Sequence, residues 1–257
     1  VGVADALEKN GHRVTQIDMA RDIALRLAEA KPDVVFNALH GVPGEDGSVQ
    51  GMLDLMGLAY THSGLATSVI AIDKQLPKQA LAPYGVPMPG GRIVPSEELF
   101  ERPWQEFSEI LAEPFIKGRE LTTAVIDGPE GPRALGVTEL IIEHGFYDYE
   151  HKYTEGRTQH VCPAKIPPEI ANLCEEYALK AHQALGCHGT SRTDYRWDDE
   201  LGEEGLFALE TNTQPGMTPL SLVPEQARHA GIDYAELVDL LVQEALRVHA
   251  DEEAIHG

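Results

Sequence analysis

The sequence predicts an α/β lobe at its amino-terminal end, followed by α+β lobes built on antiparallel sheets. Between residues 3 and 78 the predicted helices and strands alternate, which is typical of a parallel sheet covered by helices. From residue 110 onwards, predicted strands follow one another through short turns, and consecutive strands favour antiparallel pairing. We therefore expect three units, residues 1–73, 74–116 and 117–257.

The elements of the first unit are predicted from periodicity and punctuation. A helix over 3–10 ends at a glycine, a short strand covers 14–17, and a second helix ends near Lys31. The apolar run 33–39 is typical of a buried parallel strand. A glycine-rich turn follows, and Ser48 is expected to cap a helix over 49–56. A strand at 58–61 and two helices around 70–78 complete the unit, whose ligands should bind at the strand ends.

The middle unit is expected to be incomplete, because no convincing turn or element joins its two pieces near Arg102 and Pro103. Its second piece contains a strand at 110–116. The third unit has predicted strands at 120–126 and 135–143 and an amphipathic helix at 169–185. A hairpin of strands 192–197 and 206–210 and a helical region at 222–248 follow.

Composition excludes several classes of function. The chain has 257 residues, with 20 Lys and Arg against 42 Asp and Glu, so its net charge is −22. Nucleic acid and anionic membrane surfaces need a cationic face, and neither is an expected partner. No apolar run approaches the ~18 residues that span a bilayer. The three cysteines contain no CxxC pair, which favours a reducing cytoplasm, and Cys162 and Cys187 are expected to be small buried groups.

The hairpin at 192–212 holds the strongest chemical pattern. Side chains alternate along a strand, so pairing Trp197 with Phe207 sets Asp194 opposite Glu210, with Asn212 on the same face as Glu210. Opposed carboxylates repel unless a cation lies between them, and a small set of oxygen ligands suits Mg²⁺ that holds phosphates. The alternative is a solvated face on which Arg192 and Arg196 neutralise the acids.

Three further segments allow both a functional and a structural interpretation. Ser221 could open a helix whose free N–H groups bind carboxylate or phosphate, or could be an ordinary cap. The aromatic loop 145–156, with Lys152 and Tyr153, could fold over a ligand or be pinned to the body by its rings. His40, in a glycine-rich turn, could be a catalytic base or a structural histidine.

Four segments together resemble the D-alanine–D-alanine ligase family, which has the ATP-grasp fold. They are HGVPGEDGSVQGMLDLMGLAYTHSG at 40–64, FYDYEHKYTEG at 146–156, GTSRTDYRW at 189–197 and LETNTQPGMTPLSLVP at 209–224. The resemblance covers nearly the whole chain, and the four motifs in this order are highly specific. It implies that ATP lies between two antiparallel sheets.

The resemblance also implies roles for individual residues. Asp194, Glu210 and Asn212 match the ligands of two Mg²⁺ (or Mn²⁺) ions, and Arg192 matches the arginine that steadies the developing oxyanion. Ser221 and the Leu222 N–H match the pair that receives the carboxylate of the second D-alanine, and His40 matches a histidine on the substrate side. Tyr153 matches a loop tyrosine over the substrates. The matches on the ATP side are Lys74, Glu113, the Ile116 backbone, Glu120, Lys152 and Leu209.

Two family segments have no counterpart in this sequence. One is an opening strand with a glutamate that binds the amine of the first D-alanine, which would precede Val1. The other is a Gly-Ser-Ser phosphate loop after a lysine-proline pair, which should fall where Arg102 meets Pro103. Two explanations stay open: the sequence omits these segments, or the chain is a shortened relative without catalysis.

The expected function is the ATP-dependent ligation of two D-alanine molecules for peptidoglycan synthesis, by a cytoplasmic enzyme expected to be a homodimer. The alternatives are another ATP-grasp carboxylate–amine ligase, a D-alanine–D-lactate ligase, or a nucleotide-binding relative that has lost catalysis. Tyr153 directly after Lys152 favours the dipeptide enzyme, because the depsipeptide relatives commonly place a histidine in this loop.

Overall fold

The computed structural model describes residues 2–95, 109–142 and 158–256. The helices of these residues are α1 (Gly2–Lys9), α2 (Ile23–Ala30), α3 (Ser48–Met56), α4 (Leu65–Ile72), α5 (Leu76–Leu81), α6 (Pro168–Leu185), α7 (Leu222–His229) and α8 (Tyr234–His256). The strands are β1 (Val34–Val35), β2 (Ala59–Tyr60), β3 (Arg92–Pro95), β4 (Glu109–Ala112), β5 (Arg119–Ile126), β6 (Arg133–Ile142), β7 (Thr158–Val161), β8 (Thr190–Trp197) and β9 (Leu206–Asn212). No described helix is both long and apolar enough to cross a lipid bilayer.

The amino-terminal lobe is an α/β unit with a very short sheet. Strands β1 and β2 pair in parallel, as the alternation of elements predicts. The predicted strand at 14–17 does not form; these residues are irregular in structure. The second correction concerns Ser48, which is the first residue of α3 and not its cap. Gly47 occupies the cap position in a left-handed conformation, and the Ser48 N–H donates to Asp46 Oδ1 at 3.0 Å.

Strands β3 and β4 form a separate two-stranded antiparallel sheet. Strand β4 ends at Ala112, earlier than the predicted end at 116. The junction at Arg102 and Pro103 lies outside the described residues.

The carboxyl-terminal lobe is built on a five-stranded antiparallel sheet in the order β7–β6–β5–β8–β9. Helix α6 packs on one face, where Leu121, Tyr195 and Trp197 form a core with Ile170 and Cys174. Helices α7 and α8 join the core of the other face. Since residues alternate along β8, Arg192, Asp194 and Arg196 lie opposite the α6 side, and this face carries the candidate site.

The three cysteines differ in burial. Cys174 is fully buried and Cys187 is 5% exposed, which confirms the prediction for Cys187, and burial raises the pKa of both thiols to about 12. Cys162 is only partly buried, so the prediction for this residue holds in part. No disulfide joins them.

Candidate functional site

The predicted pair of opposed carboxylates is present, although the predicted strand register is correct at this pair and wrong at the other end of the hairpin. Asp194 lies opposite Glu210, but Trp197 pairs with Leu206 and not with Phe207. A bulge on β9 inserts one extra residue between the two registers, and that residue is Leu209. The bulge shifts the pairing by one position, so that the carboxylates face each other.

The charges of this pair are compensated by three neighbours. Arg192 donates to Asp194 through Nε (2.8 Å) and Nη2 (2.7 Å), a two-nitrogen contact with one carboxylate. The hydroxyl of Thr122 on β5 donates to Asp194 Oδ1 at 2.6 Å. The ammonium of Lys74 forms an ion pair with Glu210. The lysine predicted on the ATP side therefore lies beside the predicted metal ligands.

The third predicted ligand is held by the backbone. Asn212 Oδ1 accepts a hydrogen bond from the Gln214 N–H at 2.9 Å, which fixes the orientation of the amide. Asn212 lies opposite Arg192 on β8. The two carboxylates and this amide oxygen form an oxygen-only donor set of the kind that Mg²⁺ prefers, so the residues present fit the ion.

The residues predicted on the nucleotide side are joined by an arginine that the prediction did not assign to the site. Arg196 donates through Nε to the Ile116 carbonyl oxygen (3.0 Å) and through Nη1 to Glu120 Oε1 (2.7 Å). Its guanidinium also lies over the ring of Phe115, with 5.6 Å to the ring centre. Glu113, three residues before Ile116, pairs with Lys78.

His40 and Ser221 converge from different lobes on Gly216. A Cβ atom added at Gly216 would lie 3.0 Å from Ser221 Oγ and 4.0 Å from His40 Cε1. A Cβ atom here would lie closer to Ser221 than Cβ atoms usually lie to a neighbour, so glycine favours this approach. The structure therefore brings together two of the residues predicted to contact D-alanine.

Ser221 precedes α7 but does not cap it in the usual way. Its Oγ makes no hydrogen bond to the first turn of the helix. Instead it accepts from the Thr218 N–H at 3.2 Å and lies 2.8 Å from the Thr218 hydroxyl. Helix α7 begins at Leu222, whose N–H belongs to the first turn, where helix N–H groups lack acceptors within the helix.

The protonation of His40 depends on Glu45, a residue of the same turn. Glu45 Oε1 lies 3.5 Å from His40 Nδ1, and the contact with Glu45 raises the pKa of His40 above its usual value. Glu45 also accepts from the Gly41 N–H at 2.9 Å, so its carboxylate closes the turn that carries the histidine.

Lys152 and Tyr153 lie outside the described residues, and their predicted roles remain predictions. Several residues that contact the predicted ones were not assigned to the site from the sequence, among them Thr122, Arg196 and Gln214. Alternation places Arg196 on the face of Asp194, where the alternative interpretation has it neutralise the acids, and the structure pairs it with Glu120. Thr122 could not be found in this way, since its role depends on the pairing of β5 with β8.

Two family models match the chain in separate parts. The model described as the D-ala D-ala ligase N-terminus matches residues 3–63, and that of the D-ala D-ala ligase C-terminus matches residues 95–243. Among curated relatives, the D-alanine–D-alanine ligase of Erythrobacter litoralis is 62% identical, over 95% of this chain and 87% of its own length. That of Novosphingobium aromaticivorans is 60% identical, over 96% and 90%.

Solved structures of similar fold agree with these matches. The D-alanine–D-alanine ligase of Bacillus anthracis, complexed with ATP, is 26% identical with a TM-score of 0.78. The likeness covers 97% of this chain and 91% of that one. A second structure of the Bacillus anthracis enzyme gives a TM-score of 0.79. The predicted fold class, an ATP-grasp fold with a leading α/β lobe, is confirmed.

Proposed function

Because this chain belongs to the D-alanine–D-alanine ligase family, we propose that it joins two D-alanine molecules into D-alanyl-D-alanine at the expense of ATP. The carboxylate of the first D-alanine attacks the γ-phosphorus of ATP, which gives an acyl phosphate and ADP. The amine of the second D-alanine then attacks the acyl carbon, and inorganic phosphate leaves with the bonding electron pair. A carboxylate is a poor acyl donor, and phosphorylation supplies the leaving group.

The observation that carries this proposal is the opposed pair of Asp194 and Glu210, with Asn212 two residues further along β9. These three residues would hold two Mg²⁺ or Mn²⁺ ions, which neutralise phosphate charge when they are bound. Lys74, now paired with Glu210, would then be available to the phosphates. In a chain of net charge −22, such local cations are what an anionic nucleotide needs.

The other residues position the substrates and the transition state. The Arg192 guanidinium would donate to the oxygen that becomes negative when the second amine attacks. Ser221 and the Leu222 N–H would hold the carboxylate of the second D-alanine, and His40 would lie beside the first. On the nucleotide side, Leu209 would pack on the adenine, while Glu113, Ile116 and Glu120 would bind the adenine edge and the ribose. Lys152 would contact the phosphates, and Tyr153 would cover the acyl phosphate against water.

We infer further that the reaction takes place in the cytoplasm and supplies a precursor of peptidoglycan, as the family resemblance implies.

One observation favours a second candidate function, nucleotide binding without ligation. The alignment with the Erythrobacter litoralis enzyme extends over 284 positions, which is longer than this chain of 257 residues. Part of the aligned relative therefore has no counterpart here. This agrees with the predicted gap in the phosphate loop near Arg102, and a chain that lacks this loop would bind ATP poorly at the γ-phosphate.

The test is an assay of ADP and D-alanyl-D-alanine in parallel, with the purified protein, ATP and MgCl₂. We expect ADP release that requires D-alanine, with one dipeptide formed for each ADP. Glu210→Ala should lose both products at ordinary Mg²⁺ while its melting temperature stays close to that of the parent. D-Lactate in place of the second D-alanine tests the depsipeptide alternative. Nucleotide binding with no dipeptide would support the second candidate and refute ligation.

A further inference from the structure

Gln214 contacts the amino-terminal lobe with its whole side chain, which is buried (3% exposed). Its Oε1 accepts a hydrogen bond from Asn37 Nδ2 at 2.8 Å and a longer one from Gln50 Nε2 at 3.4 Å. Its Nε2 donates to the carbonyl oxygen of Leu39, the residue immediately before His40. Both polar atoms of the Gln214 side chain therefore bind residues of the amino-terminal lobe, whereas Gln214 itself belongs to the carboxyl-terminal lobe.

The backbone N–H of Gln214 orients one of the proposed metal ligands. The Gln214 N–H donates to Asn212 Oδ1 at 2.9 Å, which leaves the second lone pair of this oxygen for a cation. One residue therefore fixes a proposed ligand through its N–H and the turn before His40 through its side chain.

The turn that Gln214 contacts is itself tightly built. Asn37 Nδ2 and Gln50 Nε2 both donate to the Gly44 carbonyl oxygen, at 3.1 and 2.7 Å, and the Leu39 N–H donates to Asn37 Oδ1. A Cβ atom at Gly44 would lie 2.4 Å from Leu39 Cβ, so the two arms of the turn are in close contact. A displacement at Leu39 would therefore be transmitted through the whole turn, including His40.

We propose that Gln214 is a positioning residue that couples the metal–nucleotide side of the site to the D-alanine side. The inference rests on the proposed function and adds to it a connection between the two ligands. When Asn212 is held by a cation, the Gln214 backbone is held with it, and so is the turn beside the first D-alanine. The effect is reciprocal, because a coupling free energy acts equally on both binding events.

Two substitutions separate the contacts. Gln214→Leu keeps a side chain of similar size and removes every side-chain hydrogen bond. Gln214→Glu keeps an acceptor for Asn37 but places a carboxylate oxygen against the Leu39 carbonyl oxygen, where a donor is needed. The backbone N–H to Asn212 remains in both variants, so the oxygen donor set itself is unchanged.

The measurement is calorimetric binding of D-alanine with and without MgCl₂ and a non-hydrolysable ATP analogue. For the parent we expect tighter D-alanine binding in the presence of Mg²⁺ and the analogue. The ratio of the two dissociation constants should fall about tenfold in Gln214→Leu, since the buried partners of Gln214 lose their contact. Gln214→Glu should lower the same ratio, and it serves as the test if the leucine variant fails to fold.

Thr67→Val is the matched control. The Thr67 hydroxyl also joins the two lobes, with its oxygen 2.8 and 2.9 Å from the carbonyl oxygens of Leu185 and Gly186, and none of these three residues is a predicted site residue. This variant should have a lower melting temperature and an unchanged ratio.

The outcomes distinguish the two proposals. An unchanged ratio in the folded Gln214 variants would reduce Gln214 to a structural residue and overturn the inference. A parent that binds both ligands without any coupling between them would also overturn the inference, although the proposed function would stand. A parent that binds neither D-alanine nor the nucleotide analogue would overturn both.

Discussion

Arg192 and Arg119 lie on the same sheet, and each holds one carboxylate with two nitrogen atoms. Arg192 contacts Asp194 at 2.8 and 2.7 Å, and Arg119 contacts Glu139 at 2.7 and 2.6 Å. Arg119 also lies over the Trp197 ring, on the α6 side of the sheet. The two arginines therefore have similar local chemistry, but only Arg192 faces the candidate site. Comparing the same substitution at the two positions distinguishes an effect on catalysis from an effect on stability.

Arg192→Lys should lower kcat by about a hundredfold while D-alanine and Mg²⁺–ATP still bind, because a lysine cannot reproduce a planar, forked contact with an oxyanion. Steady-state kinetics with calorimetric binding of each substrate tests this. Arg119→Lys should change the melting temperature and leave kcat unaltered. If Arg192→Lys turns over at the rate of the parent, this residue is only a partner of Asp194.

The pKa of His40 gives a second prediction for a single residue. The contact with Glu45 raises this pKa, so it favours the protonated histidine in the folded protein. The resulting stabilisation is present below the unfolded pKa of about 6.5 and is lost as the pH rises through the higher, folded value. Glu45→Gln should therefore move the His40 titration, followed by NMR, to lower pH. An equal or higher pKa in the variant would exclude Glu45 as the cause.

At the scale of elements, the hairpin of β8 and β9 separates what periodicity can predict from what it cannot. Alternation correctly assigns Asp194, Glu210 and Asn212 to one face. It misses the bulge at Leu209, because a bulge depends on twist and packing and leaves no period in the sequence. The bulge has a visible result, since Leu209 is 37% exposed on the strand that holds the proposed ligands.

Other elements follow the same distinction. The stripe of Ile170, Cys174, Ala178 and Ala181 predicts α6, and the structure buries these residues. A strand is predicted at 14–17 but does not form, since a strand also requires a partner that the local sequence does not specify. The contacts of Gln214 could not be predicted either, because they join residues 164 to 177 positions apart.

The exposure of Leu209 leads to a prediction about the nucleotide. Leu209→Ser should weaken binding of the ATP analogue about tenfold by removing apolar contact with the adenine, with little loss of stability because the side chain is already partly exposed. Binding titrations and thermal melting measure the two effects. Leu201→Ser, at a 59% exposed leucine in the turn before β9, is the control and should change neither. Unaltered nucleotide affinity in Leu209→Ser would remove this residue from the adenine site.

At the scale of the whole molecule, one surface differs from the rest of an acidic chain. Leu65, Val69 and Ile72 follow helical spacing along α4, Leu76 begins α5 after Asp73 and Lys74, and each of the four leucine, valine and isoleucine residues is 40–44% exposed. Between residues 55 and 72 the sequence has no Asp, Glu, Lys or Arg, and burial lowers the pKa of His62 to about 4, so this histidine is neutral. Two chains of net charge −22 repel least at a surface with few charges, such as α4, whose own residues carry none. The expected homodimer therefore predicts that α4 contacts a second copy of the chain.

Val69→Glu should therefore convert the expected homodimer into a monomer, since two new carboxylates would face each other across the contact. Light scattering after size-exclusion chromatography measures the mass directly. Leu25→Glu, at a 61% exposed leucine of α2, is the control and should keep the dimer. A parent that is monomeric at micromolar concentration, or a Val69→Glu dimer, would contradict the assignment of this face.

The two buried thiols provide a chemical probe of how often the carboxyl-terminal lobe opens. A thiol reacts with an alkylating reagent as thiolate, so Cys174 and Cys187, enclosed and with a pKa of about 12, stay protected while their lobe is closed. Cys174 lies in the core between α6 and the sheet, and Cys187 lies just beyond the end of α6. Their alkylation rates would report the fraction of time this core spends open. Slower alkylation with nucleotide present would measure, in a single reaction tube, how strongly the ligand holds the lobe together.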